Sequence, residues 1–224
     1  MAAAARKVNT FVIGVTIAVV VVLGGVTALV VWMNNAASDP GVAPEASNVN
    51  TDTGAIVFGD GPDVVDTYID FMCPYCNQFE QSEGETIQGL IESGDITLNV
   101  HPVSILDRLS NGTEYSSRSA GAMYAVAAAD PDNAYAFLEA MYENQPAENS
   151  DGLSDDQIIQ IAKDAGVNVT SDLEDAITSG EYTKYAQSQS LPDGETGTPT
   201  LVVNDEIISI TYDPQADILA NLSS

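Results

Sequence analysis

Cys73 and Cys76 are the only cysteines in a chain of 224 residues, and Pro74 and Tyr75 separate them. That spacing lets two thiols on one helical turn close a disulfide and reopen it, so the pair can cycle between dithiol and disulfide. No third cysteine competes for either sulfur. Half a zinc site is the rival reading. Zinc asks for four ligands, however, and His101 is the only histidine, so no metal is expected. An inert staple is the other rival, but closing so short a ring removes little entropy from the unfolded chain. The only redox group expected is the Cys73–Cys76 disulfide itself, with no further cofactor.

Chemistry of this kind needs a strand to deliver the first sulfur and a helix to hold the second. Residues 64–71 carry the β-branched and aromatic side chains of a buried strand. Pro74 suits the first helical position, where its missing N–H costs nothing. Phe79, Glu83, Ile87, Leu90 and Ile91 then recur at roughly helical spacing until Gly94. Cys73 is thus placed at a helix N-terminus, where unpaired N–H groups and the positive end of the helix dipole favour thiolate over thiol, and it is the expected nucleophile. Cys76, one turn in, is the expected resolving thiol. Pro74 and Tyr75 tune the pair. Tyr75 offers no imidazole N–H to the sulfur, which predicts a weaker oxidant than a chain with histidine there.

The remaining pattern fits around this unit. Residues 55–59 and 96–101 read as strands, so the opening is a strand, helix and strand in βαβ order. Residues 103–195 change character and form a helical insertion, with helices expected over 120–129, 133–143, 155–165, 172–178 and 182–190. Capping-box patterns stand at Ser154 with Gln157 and at Ser171 with Glu174. Strands over 200–203 and 206–210 flank Asn204-Asp205 as a hairpin, and a closing helix spans 214–222. Thr198-Pro199 opens the first strand of that hairpin. A cis bond there would set a backbone edge beside Cys73 for a peptide to pair with, so Thr198 and Pro199 are the candidate substrate-binding residues; the isomer is left open.

The front of the chain is different. Phe11 to Trp32 carries no charge, Arg6 and Lys7 precede it, and the first acidic residue is Asp39. Such a run is long enough to span a bilayer, and its basic flank orients the short tail to the cytoplasm and the rest outside. The expected organisation is a tail and signal-anchor over 1–33, a disordered tether over 34–54 and one globular domain over 55–224. All 33 acidic residues lie beyond the apolar run, with only Arg108, Arg118, Lys163 and Lys184 as basic partners. A net charge of −27 argues against nucleic acid or an anionic lipid surface as a partner.

Asp70-Phe71-Met72-Cys73-Pro74-Tyr75-Cys76 at a strand-to-helix junction, a helical insertion, and Thr198-Pro199-Thr200 before the last hairpin together resemble the DsbA-like thiol:disulfide oxidoreductases. Residues 101–107 and 115–120 are similar to the membrane-anchored members from actinobacteria. The resemblance covers residues 55–222 and implies an α/β thioredoxin fold with the helical insertion between a βαβ half and a ββα half. It maps the family's two cysteines onto Cys73 and Cys76 and its cis-proline onto Pro199. It further implies a cell-membrane protein with an extracytoplasmic domain that donates its disulfide to exported cysteine-containing proteins. A membrane reoxidase of the DsbB or VKOR type would restore the disulfide. An exported reductase or isomerase, for instance in cytochrome maturation, and a redox-inert binding module are the alternatives. One departure from the pattern bears on mechanism. Many thioredoxin-fold enzymes carry a buried acid six residues before the first cysteine, and Thr67 stands there. Regular alternation sets Asp66 and Asp70 on the face opposite Thr67, so no general base is assigned.

Overall fold

A computed structural model describes residues 10–37 and 40–223, with side chains described from 20 to 33 and from 40 onward. The chain divides into two units, Met1–Asp39 and Pro40–Ser224. The first contains one helix, α1 (Thr10–Ala37). Among the described residues, whose side chains in α1 begin at Val20, no helix is long and apolar enough to cross a membrane. The anchor expected over 1–33 lies partly outside them.

The second unit is built on a six-stranded sheet: β1 (Val49–Asn50), β2 (Ala55–Phe58), β3 (Asp63–Ile69), β4 (Ile96–Pro102), β5 (Thr200–Val203) and β6 (Glu206–Ile208), in the spatial order β1-β2-β4-β3-β5-β6. Only β3 and β4 run parallel, joined by α2 (Pro74–Ser93); every other pairing is antiparallel. That is the expected βαβ half followed by the hairpin. Along β3 burial alternates strictly, with Val65, Thr67 and Ile69 on the face that packs under α2. The register pairs Asp66 with Asn99 and Tyr68 with His101, so these residues share the other face. α2 stops where Gly94, at φ 74°, turns the chain back and donates its N–H to the Ile91 carbonyl.

Between β4 and β5 lie α3 (Tyr115–Ala129), α4 (Ala134–Glu143), α5 (Asp155–Asp164), α6 (Ser171–Ser179) and α7 (Thr183–Gln187). α3 is the hub: it is buried along almost its whole length, because its small Ser, Gly and Ala residues let neighbouring helices approach on every side. Tyr124 of α3 donates to the Gly54 carbonyl at 2.6 Å and ties the hub to the sheet. The chain closes with α8 (Pro214–Asp217) and a 3-10 turn over Leu219–Asn221, where one helix over 214–222 was expected.

Three details differ from expectation. The ordered unit begins at Pro40, so residues 40–54 are not a free tether: Val49 is buried, β1 pairs with β2, and Tyr185 donates to the Thr51 carbonyl. Ser154 and Gln157 form their capping box, but α6 is capped by Thr170, whose hydroxyl accepts from Leu173 N–H; Ser171 is already helical. The helix expected over 182–190 is the shorter α7. Arg118 reaches Asp155 at 2.6 Å, the Leu153 carbonyl and the Thr113 carbonyl, a structural pairing with a carboxylate. Asp107 is occupied by the N–H and hydroxyl of Ser117.

Candidate active site

β3 ends at Ile69, and three residues turn the chain into α2. Asp70 organises that turn. Its carboxylate accepts from Met72 N–H (2.8 Å), Leu106 N–H (3.0 Å) and the Ser116 hydroxyl (2.7 Å), while its carbonyl accepts from Cys73 N–H (2.9 Å). The side chain has no exposed surface. Burial pushes the carboxyl up to about 6 against the opposing pull of the three donors, and the neighbouring Cys73 adds a smaller push in the same direction. Asp70 therefore does not lie out on the second face with Asp66, because it stands past the end of the strand where alternation no longer holds. Asp66 does lie there, held by His101 Nε2 (2.9 Å) and Asn99 Nδ2 (3.0 Å).

Cys73 is the N-cap residue of α2, and its carbonyl accepts from the N–H groups of Cys76 (3.1 Å) and Asn77 (3.3 Å). Both cysteines are reduced and buried. Their chemistry is nonetheless unequal. The Cys73 thiol is held down at about 6: the Cys76 S–H acts most strongly, burial opposes it, and the Thr198 hydroxyl and the N–H groups of Cys76 and Tyr75 add to the lowering. The Cys76 thiol is pushed well above its usual 9.0, first by burial and then by Cys73. At neutral pH one sulfur is a thiolate and its neighbour is a thiol that donates to it. That pairing is what a nucleophile and a resolving thiol require.

The peptide bond between Thr198 and Pro199 is cis, and the Thr198 carbonyl oxygen lies 3.2 Å from Cys73 Sγ, accepting from the S–H when the thiol is protonated. The Thr198 hydroxyl is sealed from solvent and makes no formed hydrogen bond to the described residues, although it lies near enough to both sulfurs to favour their thiolates. Pro74 and Tyr75 are both exposed, Tyr75 at 62%. The structure thus brings Cys73, Cys76, Pro74, Tyr75, Thr198 and Pro199 to one end of the sheet. His101 lies elsewhere, stacked on Tyr68 with centroids 4.1 Å apart. Among the described residues no group of His, Cys, Asp and Glu could hold a metal.

Two further contributors come from the insertion and carry no motif. Gln145 Nε2, just past α4, donates to the carbonyls of Phe71 (3.1 Å) and Cys73 (2.8 Å), and the Tyr142 hydroxyl reaches the Asp70 carbonyl at 3.4 Å. Nothing local in the sequence signals these contacts, which join positions 72 and more apart.

A βαβ unit that presents a thiolate at a helix N-terminus beside a cis-proline defines a thioredoxin-fold redox protein, and comparison with known proteins agrees. A family model described as Thioredoxin matches residues 52–220. The crystal structure of oxidised DsbA from Mycobacterium tuberculosis is 30% identical with a TM-score of 0.63, over 70% of this chain and 86% of that one. Reduced DsbG from the same organism, described as a disulfide bond oxidoreductase, is 30% identical with a TM-score of 0.62, over 75% and 79%. The thiol-disulfide oxidoreductase MdbA from Corynebacterium diphtheriae shares the fold at 22% identity and a TM-score of 0.63, over 80% and 94%. No curated protein matches the chain. The chain belongs to the thioredoxin family and, within it, to the DsbA-like thiol:disulfide oxidoreductases.

Proposed function

We propose that the protein is an extracytoplasmic protein-thiol oxidase that donates a Cys73–Cys76 disulfide to exported proteins as they fold. The observation that carries this reading is the inequality of the two sulfurs, Cys73 held down at about 6 beside a Cys76 raised well above 9.0. A stabilised Cys73 thiolate favours the reduced enzyme, which makes its disulfide a ready oxidant of other thiols. A substrate thiolate attacks Cys73 Sγ of the disulfide and Cys76 leaves as the new thiol. A second substrate thiolate then attacks the mixed disulfide, so the substrate departs oxidised and Cys73 departs as thiolate. Pro74 and Tyr75 tune the pair, and Thr198 and Pro199 offer the backbone edge on which an unfolded chain would lie. Residues 1–33 anchor the enzyme, with the basic Arg6 and Lys7 inside and the acidic domain outside. A DsbB- or VKOR-type membrane partner returns the enzyme to its disulfide form.

The test is oxidative refolding of reduced, unfolded ribonuclease by the oxidised full-length chain in detergent. Accelerated disulfide formation that vanishes in Cys73→Ser is expected; no acceleration by the intact enzyme would defeat the reading. Trapping of thiols in cells settles the direction of electron flow: a steady state that is mostly disulfide supports an oxidase, and a mostly dithiol state points to the reductase.

A further inference from the structure

Six non-glycine residues among those described have a positive φ; five are Asn, Asp or Glu, and the sixth is Tyr212, at φ 63°. A bulky side chain rarely adopts that left-handed conformation, and a position needed only to turn the chain is filled with least strain by glycine. Asp217 holds Tyr212 there. This residue is 1% exposed, and its carboxylate accepts from Thr211 N–H (2.8 Å), the Thr211 hydroxyl (2.6 Å) and Tyr212 N–H (2.8 Å). A strained residue that its surroundings pin down points to a use for its side chain.

The path of the chain puts that side chain at the redox end of the sheet. Thr200 pairs with Tyr68 and Leu201 with Ile208, so the chain leaving β6 travels toward the level of Pro199. Tyr212 ends this path just before α8, and α8 packs against α2. The residue is half-buried against the hydrophobic core, so the ring is seated while part of it still faces solvent. Burial, and then the charges of Cys73, Cys76, Tyr75 and Asp217, push its phenol up, in agreement with a ring near both sulfurs. Tyr75 is exposed on the first turn of α2, and the half-buried Pro199 follows the Thr198 carbonyl that lies against Cys73 Sγ. Three rings from distant parts of the sequence, those of Tyr75, Pro199 and Tyr212, are thereby gathered around the attacking sulfur.

We propose that Tyr212 is a specificity-determining residue of the thiol-exchange site: its ring, together with that of Tyr75, packs on an apolar or aromatic side chain next to the substrate's cysteine. This rests on the reading of Cys73 as the attacked sulfur. In the step it serves, a substrate thiolate bonds to Cys73 Sγ, the Cys73–Cys76 bond breaks, and its electron pair leaves on Cys76. Neither ring exchanges an electron or a proton. Their part is to hold the extended substrate while its sulfur lines up, with the peptide backbone along the Thr198–Pro199 edge and the neighbouring side chain against the rings. Aromatic contacts of this kind discriminate by the area they cover and by ring geometry. The favoured substrate is a cysteine in an apolar stretch, a segment that an exported protein exposes while unfolded and buries once folded.

The test mixes the oxidised full-length chain in detergent with an excess of a pentapeptide thiol and follows loss of the Cys73–Cys76 disulfide by acid quench and mass spectrometry. One peptide carries cysteine between two phenylalanines and the other carries it between two serines, each rate being referred to that peptide's thiolate concentration. Wild type should react about fivefold faster with the phenylalanine peptide. Tyr212→Gly, which suits the backbone there, should bring that ratio below about twofold, and Tyr212→Phe should keep it. A ratio taken within one variant cancels any change in the reactivity of the sulfurs themselves, which is all that a structural role would alter. Tyr75→Ala, at an exposed position whose loss does not threaten folding, should lower the ratio as well. A wild-type ratio near one, or a wild-type ratio retained in Tyr212→Gly or Tyr75→Ala, overturns the proposal and leaves the oxidoreductase intact. If neither peptide opens the wild-type disulfide, the reading of Cys73 fails first.

Discussion

Replacing Cys76 by alanine should raise the pH at which Cys73 ionises, because the Cys76 S–H is the strongest of the influences that hold the Cys73 thiol at about 6. A hydrogen bond to a charged acceptor contributes about 1.5–3 kcal/mol. At about 1.4 kcal/mol per pH unit, its loss moves the inflection up by about 1–2 units, to roughly pH 7–8. The inflection should not return to the usual 9.0, since the N–H groups of Cys76 and Tyr75 and the Thr198 hydroxyl remain in place. Burial of Cys73 opposes the thiolate in both proteins and cancels from the difference. Serine at position 76 keeps an O–H donor, so Cys76→Ser should stay near the wild-type value. The assay is the rate of iodoacetamide alkylation at Cys73 across the pH range, in variants that carry a single thiol. If Cys76→Ala and Cys76→Ser titrate together near pH 6, the neighbouring thiol is not what depresses Cys73 and the reasoning fails.

Asp70 titrates at about 6 in the folded chain against a usual 3.8, so its protonated form is the one folding favours. The resulting stability is fully present below about pH 4 and lost as pH rises through 6, up to about 3 kcal/mol by pH 7. Measured by urea unfolding, Asp70→Asn should therefore gain on wild type by that order between pH 4 and pH 7; parallel stability curves would refute the assignment. Gln145→Ala strips a donor from the carbonyls of Phe71 and Cys73 and should cost about 1–2 kcal/mol, with faster amide exchange at Cys73. Unchanged exchange there would show that the redox turn is held by other means. Arg118→Ala should lose about 2 kcal/mol by releasing the bonds to Asp155, Leu153 and Thr113, and Arg118→Lys should recover less than half of it, because an ammonium cannot span three acceptors in a fork. Equal stability of the alanine and lysine variants would instead assign the effect to lost packing of the stem.

The redox unit was legible because its signals are local. Pro74 at the first helical turn, the alternating residues before Cys73 and the apolar spacing through Ile91 each act within a few positions, so pattern alone places α2 and Cys73 and finds β3, though it carries the strand two residues past its end at Ile69. The hairpin around Asn204-Asp205 was readable for the same reason. Asp70 was not, because alternation describes a regular strand and β3 ends one residue earlier. Gln145 was invisible: its role is a contact 72 positions from Cys73, set by how α4 ends and not by any local pattern. Residues 40–54 looked like a tether because Ala, Ser, Pro and Gly carry no periodicity. What fastens them is backbone pairing and close approach: a Cβ on Gly41, at φ 81°, would meet Lys184 Cβ at 2.8 Å.

These long-range contacts change what the insertion is for. Ser116 of α3 and Leu106 before it hold the Asp70 carboxylate, Tyr142 of α4 reaches the Asp70 carbonyl, and Gln145 holds the carbonyls of Phe71 and Cys73. Every one of these partners lies in the stretch between β4 and β5, and every one acts on the turn from β3 into α2. The insertion therefore positions the nucleophile as well as covering it. Asp70, saturated with donors, is fixed in place and shapes the turn that carries Cys73 to the start of α2.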